Sequence, residues 1–315
     1  MAIENIVIAG AGTMGYSMAQ IFARYNYHVT IYVLKEEALE TAKKRIKENT
    51  QILLQENEIT NDQEKEIHQH LKYTTDLKCF ENCDLVVESI IENVEIKQNF
   101  YKQISLSDIS KIVKEETILA TNTSGISINT LASAVYKPER FIGMHWFNPS
   151  HLILLIEIIK GDQTLESVAQ TIKELSLHIG KKPVIVQKDV LGFAANRIQF
   201  AVLREALYLV EQGVISKEDI DSVMKYGLGF RYACLGPLEV ADFGGLDTFY
   251  HISDYLMKDL CNDTQIPSEL AKLYDEGHYG VKSQHGFYDY HEGKDHEAIK
   301  HRDDQLLKLY NALYK

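Results

Sequence analysis

The chain has few cysteines, no excess of positive charge and no long apolar run, and each absence excludes a class of protein. Its four cysteines are scattered and form no CxxC pair, so neither a disulfide scaffold nor a cysteine-rich metal site is indicated. No stretch approaches the roughly twenty apolar residues of a membrane span, and Met1 leads into the first apolar run without the layout of a signal peptide. These absences predict a cytoplasmic protein with no bound metal and no membrane partner.

The charge balance is acidic. The 315 residues include 33 Lys and Arg against 45 Asp and Glu, which gives a formal net charge of −12. A nucleic-acid-binding protein needs basic residues that neutralise phosphates, so no nucleic-acid partner is expected. The hydrophobic content of 45% is sufficient, at this length, for two well-packed domains.

The first part of the chain alternates short apolar runs with helical patterns. Strands are predicted at residues 5–9, 28–33, 84–88, 117–121, 141–145, 152–159 and 182–186. Residues 36–72 predict two charged helices separated near residues 57–62, and only helical patterns follow residue 186. The alternation predicts an α/β domain with a mainly parallel sheet, residues 1–186, followed by an all-α C-terminal domain, residues 187–315.

A glycine-rich motif, Gly10-Ala-Gly-Thr-Met-Gly15, lies between the first predicted strand and the first predicted helix. In that context glycines let the backbone turn tightly and approach a pyrophosphate at the positive N-terminus of the helix. The motif therefore makes the first domain a Rossmann-type, dinucleotide-binding domain. The residues expected to contact the dinucleotide here are Gly10, Gly12, Thr13, Met14 and Gly15.

The end of the second predicted strand departs from the nucleotide-binding pattern. A carboxylate at this position normally hydrogen-bonds the adenosine ribose, whereas this chain has Val33, followed by Lys35. NAD is the expected cofactor, because one lysine makes a poor phosphate site and no arginine follows the strand. NADP is the alternative, because Val33 removes a negative charge that would repel a 2′-phosphate.

His145 lies in the segment Gly143-Met-His-Trp-Phe-Asn-Pro149, and Glu157 follows it within an apolar run. A histidine titrates near neutral pH, and a buried carboxylate partner fixes its tautomer. Burying a carboxylate in an apolar run is costly unless it has a partner. The pair predicts general acid/base chemistry, and the alternative is a structural histidine with an unrelated glutamate.

Several motifs in this order resemble the L-3-hydroxyacyl-CoA dehydrogenase family over nearly the whole chain. Ser124 falls 21 residues before His145, as the family pattern requires. The matching segments are Gly10–Gly15, Glu88-Ser-Ile-Ile-Glu92-Asn93 with Lys97, Thr121-Asn-Thr-Ser124, Gly192-Phe-Ala-Ala-Asn196-Arg197, Gly236-Pro-Leu-Glu-Val-Ala-Asp242 and Gly286-Phe-Tyr288.

The resemblance implies a role for individual residues. His145 is the catalytic acid/base, and Glu157 orients it. Ser124 and Asn196 hydrogen-bond the reacting oxygen of the substrate; the alternative, from the residues alone, is that they cap a turn and a helix. The cofactor-binding residues that the resemblance adds are Glu92, Lys97 and Asn122.

The resemblance also implies an activity. It is that of an NAD(P)-dependent oxidoreductase, which transfers a hydride between the cofactor and C3 of a short-chain L-3-hydroxyacyl-CoA or 3-oxoacyl-CoA, as in the 3-hydroxybutyryl-CoA dehydrogenases of fatty acid metabolism. In this family the helical C-terminal domains usually pair two subunits, so a homodimer is expected.

Arg231 marks a departure from the bacterial hydroxybutyryl-CoA dehydrogenase pattern. The segment around it, Gly227–Pro237, looks more like that of lambda-crystallin, a relative that oxidises L-gulonate, and of carnitine dehydrogenases. A guanidinium suits a free carboxylate, which makes Arg231 a candidate substrate-binding residue; the alternative is a structural bridge between helices or subunits. A dehydrogenase of a free 3-hydroxy acid is therefore one alternative to acyl-CoA oxidoreduction. The other is a non-catalytic nucleotide-binding relative, because Val33 replaces the strand-end carboxylate.

Overall fold

The computed structural model describes residues 3–55, 57–106 and 112–314. The chain divides into two compact units, Met1–Arg197 and Ile198–Lys315. This division falls after the boundary predicted at residue 186. The segment after the last strand still bonds to the first unit, since the N–H groups of Ala194 and Ala195 donate to Glu157.

The first unit is built on one sheet. Within the described residues its strands are β1 (Asn5–Ala9), β2 (His28–Tyr32), β3 (Leu71–Thr74), β4 (Leu85–Glu88), β5 (Ile118–Thr121), β6 (Phe141–Trp146), β7 (Leu155–Lys160) and β8 (Lys182–Val186). Their order is β3-β2-β1-β4-β5-β6-β7-β8, and every neighbouring pair is parallel except β6 with β7. The order of the first six is that of the doubly wound dinucleotide-binding fold. The predicted Rossmann-type, mainly parallel sheet is confirmed.

Helices cover both faces of this sheet. Those described in the first unit are α1 (Thr13–Arg24), α2 (Glu36–Gln55), α3 (Asn61–Gln69), α4 (Val94–Tyr101), α5 (Ile128–Ala132) and α6 (Glu166–His178). Because successive strand residues point to opposite faces, Ile6 and Ile8 of β1 join one buried cluster with α1 and α6. Val7 and Ala9 join another with α4 and α5. Strands buried on both faces have nearly continuous apolar sequences, which made them recognisable.

Strand β3 lies at the edge of the sheet, in a region predicted to be helical. The helical pattern of residues 36–72 is correct for α2 and α3, but α3 ends at Gln69 and Leu71–Thr74 pairs in parallel with β2. Among these four residues only Leu71 is fully buried. The predicted helix is therefore wrong at its C-terminal end, because a short edge strand with one core residue carries too little sequence pattern.

The second unit is helical, as predicted. Helix α7 (Ala195–Glu211) spans the division. It is followed in the described chain by α8 (Lys217–Val223), α9 (Gly229–Tyr232), α10 (Pro237–Gly244), α11 (Leu246–Leu256), α12 (Ser268–Asp275) and α13 (Lys294–Tyr314). None of the helices that the structure describes is long and apolar enough to cross a membrane.

Candidate active site

The carboxyl ends of β1, β4 and β5 meet at one edge of the sheet, where several of the predicted site residues lie. Gly10 follows β1, Ser89 follows β4 and Asn122 follows β5. Hydrogen bonds join these connections, from Ser89 N to Ala9 O at 2.7 Å and from Asn122 N to Glu88 O at 2.8 Å. Ligands of open α/β sheets bind at this edge.

The Gly10–Gly15 motif turns the chain from β1 into α1. Gly10 has a φ of 112°, and a Cβ there would lie 2.4 Å from the carbonyl oxygen of Ser89. A Cβ on Gly15 would lie 2.0 Å from the carbonyl oxygen of Gly10. Both positions therefore require glycine. At Gly12, by contrast, a Cβ would meet nothing within 4 Å, so this glycine keeps the space before the helix open.

The N-terminus of α1 fits an anionic group. Its N-cap residue is Gly12, no side chain caps it, and its first turn contains no acidic residue. The first-turn N–H groups, at Thr13, Met14 and Gly15, have no intrahelical carbonyl to bind, and the helix dipole favours negative charge there. The motif thus has the open space and the donors that a dinucleotide pyrophosphate requires.

Val33, directly after β2, lies in the core. Its side chain is 8% exposed and belongs to the apolar cluster that contains Ile6 and Ile8. Its N–H donates to the carbonyl oxygen of Thr74 at 3.2 Å. The position where a carboxylate would hold the adenosine ribose is therefore apolar and anchored to the sheet.

A buried ion pair follows β4. Glu88 is fully buried and accepts hydrogen bonds from Lys97 Nζ at 2.5 Å and from Thr121 Oγ1 at 2.8 Å. Lys97 is 1% exposed, and its Nζ also lies 3.3 Å from a carboxylate oxygen of Glu92. Charges buried this deeply are tolerated only with partners. Lys97 thus ties Glu88 to Glu92, and its predicted contact with the cofactor stays a prediction.

Glu92 connects this ion pair to the turn that contains Ser124. Its Oε1 accepts hydrogen bonds from Thr123 Oγ1 at 2.5 Å and from the N–H of Ser124 at 2.9 Å. Burial raises the pKa of this carboxyl group, but the bonds from Thr123 and Ser124 and the charge of Lys97 outweigh it, so the pKa lies below its usual value. Glu92 is therefore ionised at neutral pH and holds the turn in place.

Ser124 and Asn196, far apart in sequence, are in contact. The side-chain Nδ2 of Asn196 donates to the carbonyl oxygen of Ser124 at 2.7 Å. Ser124 is exposed, and its hydroxyl makes no hydrogen bond to any residue that the structure describes. Asn122 is also fixed, because its Oδ1 accepts a bond from the N–H of Trp146 at 2.9 Å. The turn therefore presents a free hydroxyl next to the strand that contains His145.

His145 and Glu157 form a buried pair. They are direct partners in the antiparallel pairing of β6 with β7. His145 Nδ1 lies 2.9 Å from Glu157 Oε2, and the two residues are 3% and 0% exposed. The imidazole packs against Phe147 and Phe193, with ring centroids 4.3 and 5.6 Å away. This packing and the hydrogen bond fix the orientation of the ring.

The second oxygen of Glu157 is held by the start of α7. Glu157 Oε1 accepts bonds from the N–H groups of Ala194 at 3.0 Å and Ala195 at 2.9 Å. Gly192 and Phe193 have φ values of 74° and 52°, a turn that aims these N–H groups at the carboxylate. Sequence reasoning missed this contact, although the glycine preceding a helical pattern was a signal for it.

The environment keeps Glu157 ionised. Burial raises the pKa of its carboxyl group, but the hydrogen bonds from His145, Ala195 and Ala194 outweigh burial and bring the pKa below its usual value. An ionised Glu157 accepts a hydrogen bond from the Nδ1–H of His145. In the neutral imidazole, Nε2 then carries no proton and can accept one. No residue in the described chain hydrogen-bonds Nε2, so this atom is available to a ligand.

Arg231 belongs to the second unit, in α9. Its guanidinium makes no hydrogen bond or ion pair with the residues that the structure describes, so no bridge between helices of the same chain is observed. It lines a cavity of about 180 Å³ that is otherwise apolar, with Leu235, Val240, Phe243 and Phe249 among its walls. A single cation in an apolar cavity suits a small carboxylate.

Comparison with known proteins gives the family. The profile described as "3-hydroxyacyl-CoA dehydrogenase, NAD binding domain" matches residues 5–190, and the C-terminal domain profile of the same family matches residues 192–290. The chain is 40% identical over 284 residues to a probable 3-hydroxybutyryl-CoA dehydrogenase of Deinococcus radiodurans, covering 90% of this chain and 99% of the relative.

A second type of relative is also similar. The chain is 36% identical over 295 residues to 5-formyl-3-hydroxy-2-methylpyridine 4-carboxylate 5-dehydrogenase of Mesorhizobium japonicum, covering 91% of each. A crystal structure of an enzyme of this name, described as an NAD⁺-dependent dismutase, matches with a TM-score of 0.90 at 34% identity over 99% of both chains. (S)-3-Hydroxybutyryl-CoA dehydrogenase from Ralstonia eutropha matches with a TM-score of 0.76 at 32% identity, covering 92% and 99%. The chain has the Gly10–Gly15 motif and the buried His145–Glu157 pair, and it belongs to the 3-hydroxyacyl-CoA dehydrogenase family of NAD-dependent oxidoreductases.

Proposed function

We propose that the chain transfers a hydride between NAD and C3 of a short-chain L-3-hydroxyacyl-CoA or 3-oxoacyl-CoA, as a step of fatty acid metabolism. The observation that carries the proposal is the buried His145–Glu157 pair, with Nε2 of His145 free. The relatives named 3-hydroxybutyryl-CoA dehydrogenase support the substrate class.

Each residue of the proposed site has a distinct role in the transfer of the hydride and the proton. When bound, the nicotinamide supplies the hydride acceptor or donor. In oxidation, Nε2 of neutral His145 accepts the hydroxyl proton, and Glu157 stabilises the imidazolium that results. In reduction, the imidazolium returns the proton to the carbonyl oxygen. Ser124 and Asn196 donate hydrogen bonds to that oxygen, where negative charge develops.

The test is a comparison of initial rates. Acetoacetyl-CoA and a panel of free 3-oxo acids are supplied with NADH and, separately, with NADPH, and each kcat/KM is measured. Acyl-CoA oxidoreduction is expected to give the highest kcat/KM, with acetoacetyl-CoA and NADH. A higher value with a free acid would replace the proposal by the second candidate, and no turnover of any member would contradict both.

The second candidate is a dehydrogenase of a substrate that bears a free carboxylate. Two observations favour it: the unpaired guanidinium of Arg231 in an apolar cavity, and the carboxylate in the name of the Mesorhizobium japonicum relative. In this reading Arg231 binds the carboxylate through two parallel hydrogen bonds.

Replacement of Arg231 by Met tests whether Arg231 binds the free carboxylate of a substrate. If Arg231 binds a carboxylate, KM for a free 3-hydroxy acid should rise by the equivalent of about 1.5–3 kcal/mol, the value of a hydrogen bond to a charged group. Turnover of acyl-CoA should hardly change, because a thioester offers no carboxylate there. Lys225→Met is the control, since it removes a nearby positive charge that does not line the cavity. Equal losses on both substrates, with a lower melting temperature, would favour a structural role.

Replacement of Val33 by Asp tests cofactor choice. An aspartate at the end of β2 would hydrogen-bond the adenosine ribose and repel a 2′-phosphate. NADH should bind about ten- to a hundredfold more tightly and NADPH more weakly, given about 1.5–3 kcal/mol for a charged hydrogen bond. Val33→Asn is the matched uncharged control and should not weaken NADPH binding. Fluorescence titration measures both affinities, and an unchanged NADH affinity would mean that another group already holds the ribose.

A homodimer is part of the proposal. Of the buried apolar side chains described, only Leu207 and Val240 lie in the second unit, whereas Leu238 and Phe243 are each 81% exposed. A helical unit with so little core of its own is stabilised when a partner covers its apolar surface. Sedimentation equilibrium should give twice the mass of the chain, and a monomer at micromolar concentration would contradict this.

A further inference from the structure

Three potential metal ligands converge in the loop that precedes α13. His285, Asp289 and His291 each offer one ligand atom, and these atoms lie within 4.8 Å of one another. They flank the Gly286-Phe-Tyr288 motif, so their separation in sequence did not suggest a site. The sequence had predicted no bound metal.

The backbone of this loop is held in place. Antiparallel bridges join Gly280 to His285 and His285 to Asp289. The N–H of Gly280 donates to the carbonyl oxygen of His285 at 2.8 Å. Tyr288 anchors the loop on α8, because its hydroxyl donates to Asp221 Oδ2 at 3.0 Å. The three side chains thus project from a preorganised segment rather than from an unsupported surface loop.

We propose that His285, Asp289 and His291 bind a divalent transition-metal ion, of which zinc is the best match, with solvent in the fourth position. Imidazole nitrogen and carboxylate oxygen are ordinary zinc ligands, and three protein ligands with one open position is a common arrangement. Such an ion links the two sides of the Gly286-Phe-Tyr288 turn.

The distances require only small side-chain movements. Ligand atoms about 2.1 Å from a tetrahedral ion are about 3.4 Å apart. His285 Nδ1 lies 4.0 Å from Asp289 Oδ1, and His291 Nδ1 hydrogen-bonds the same oxygen. The three side chains are 39%, 47% and 55% exposed, in chain order, so the imidazoles have room to rotate.

The charges around Asp289 are compatible with a cation. The Asp289 carboxylate accepts hydrogen bonds from His291 Nδ1 and from Lys294 Nζ. Lys294 Nζ donates to Oδ2 at 3.0 Å, and this bond leaves Oδ1 facing the two histidines. A fourth imidazole, that of His278, has its ring centroid 4.3 Å from that of His285, but it does not belong to the group whose ligand atoms lie within 4.8 Å of one another. His278 therefore lies beside the site and is not assigned as a ligand.

The experiment uses the full, untagged chain after treatment with a chelator. It is titrated with zinc chloride, and the bound metal is measured after dialysis. One zinc ion per chain is expected, with a higher melting temperature than the chelated protein, because an ion that binds only the folded chain stabilises it. Cobalt chloride should give a visible spectrum without a thiolate charge-transfer band, because no cysteine belongs to the site.

Single-residue variants identify the ligands. Asp289→Asn and His291→Asn should each lower zinc affinity at least about tenfold, since even residues that only support ligands contribute that much. His251→Asn, an exposed histidine on α11, is the matched control and should bind like the unmodified chain. Circular dichroism checks that each variant is folded. Absence of one-to-one binding, unchanged affinity in both ligand variants, or a thiolate band with cobalt would overturn the proposal.

Discussion

Replacing His145 by Gln is expected to lower turnover by at least about a hundredfold, the contribution typical of general acid/base catalysis. Glutamine approximates the volume of the ring and keeps polar atoms near Glu157, but it cannot exchange a proton at neutral pH. Cofactor affinity should hardly change, because the glycine motif and α1 follow β1, whereas His145 and Glu157 lie on β6 and β7.

The measurement separates turnover from binding. Steady-state kinetics give kcat in both directions, and NADH fluorescence gives the dissociation constant. His251→Gln, at an exposed position on α11, is the control and should retain full activity. Near-normal turnover in His145→Gln would contradict the assignment of the acid/base.

Replacing Glu157 by Gln is expected to lower turnover, because it should stabilise the tautomer of His145 that cannot accept the substrate proton at Nε2. The glutamine carbonyl must take the place of Oε1, because Ala194 and Ala195 offer only N–H donors. Its amide NH₂ then faces His145 Nδ1 as a donor and forces the proton of the neutral ring onto Nε2. A catalytic imidazole in the wrong tautomer costs up to about 10⁴-fold in rate.

The pH profile distinguishes this mechanism from a loss of packing. The imidazolium loses its anionic neighbour in Glu157→Gln, so the acidic limb of the pH profile of the residual oxidation rate should move to lower pH.

The pH dependence of the free energy of unfolding gives a second test. The pKa of Glu157 is lowered from 4.5 in the folded chain, so its ionised form stabilises the fold above that pH, and this contribution is lost as the pH falls. The variant should lack this pH dependence, and Glu157→Asp, which keeps the charge, should recover part of the activity. A profile identical to that of the unmodified chain would contradict the tautomer argument.

The part of the fold that follows local pattern was predictable. Buried parallel strands have continuous apolar sequences, and the glycine motif between β1 and α1 has one structural explanation, since a Cβ at Gly10 or Gly15 would meet backbone atoms. The edge strand β3 was not predictable, because its pairing with β2 depends on a neighbour that its own four residues do not reveal.

The sequence by itself determined the two classes of domain and the dinucleotide-binding turn, and it predicted His145 and Glu157 as an acid/base pair, because period, glycine position and residue type are local properties. Only the tertiary structure decided which groups complete the site. The antiparallel pairing of β6 with β7 places His145 opposite Glu157, and the turn before α7 supplies the N–H groups of Ala194 and Ala195. These contacts join residues that are distant along the chain, and their geometry depends on strand register and turn conformation, which residue spacing does not encode.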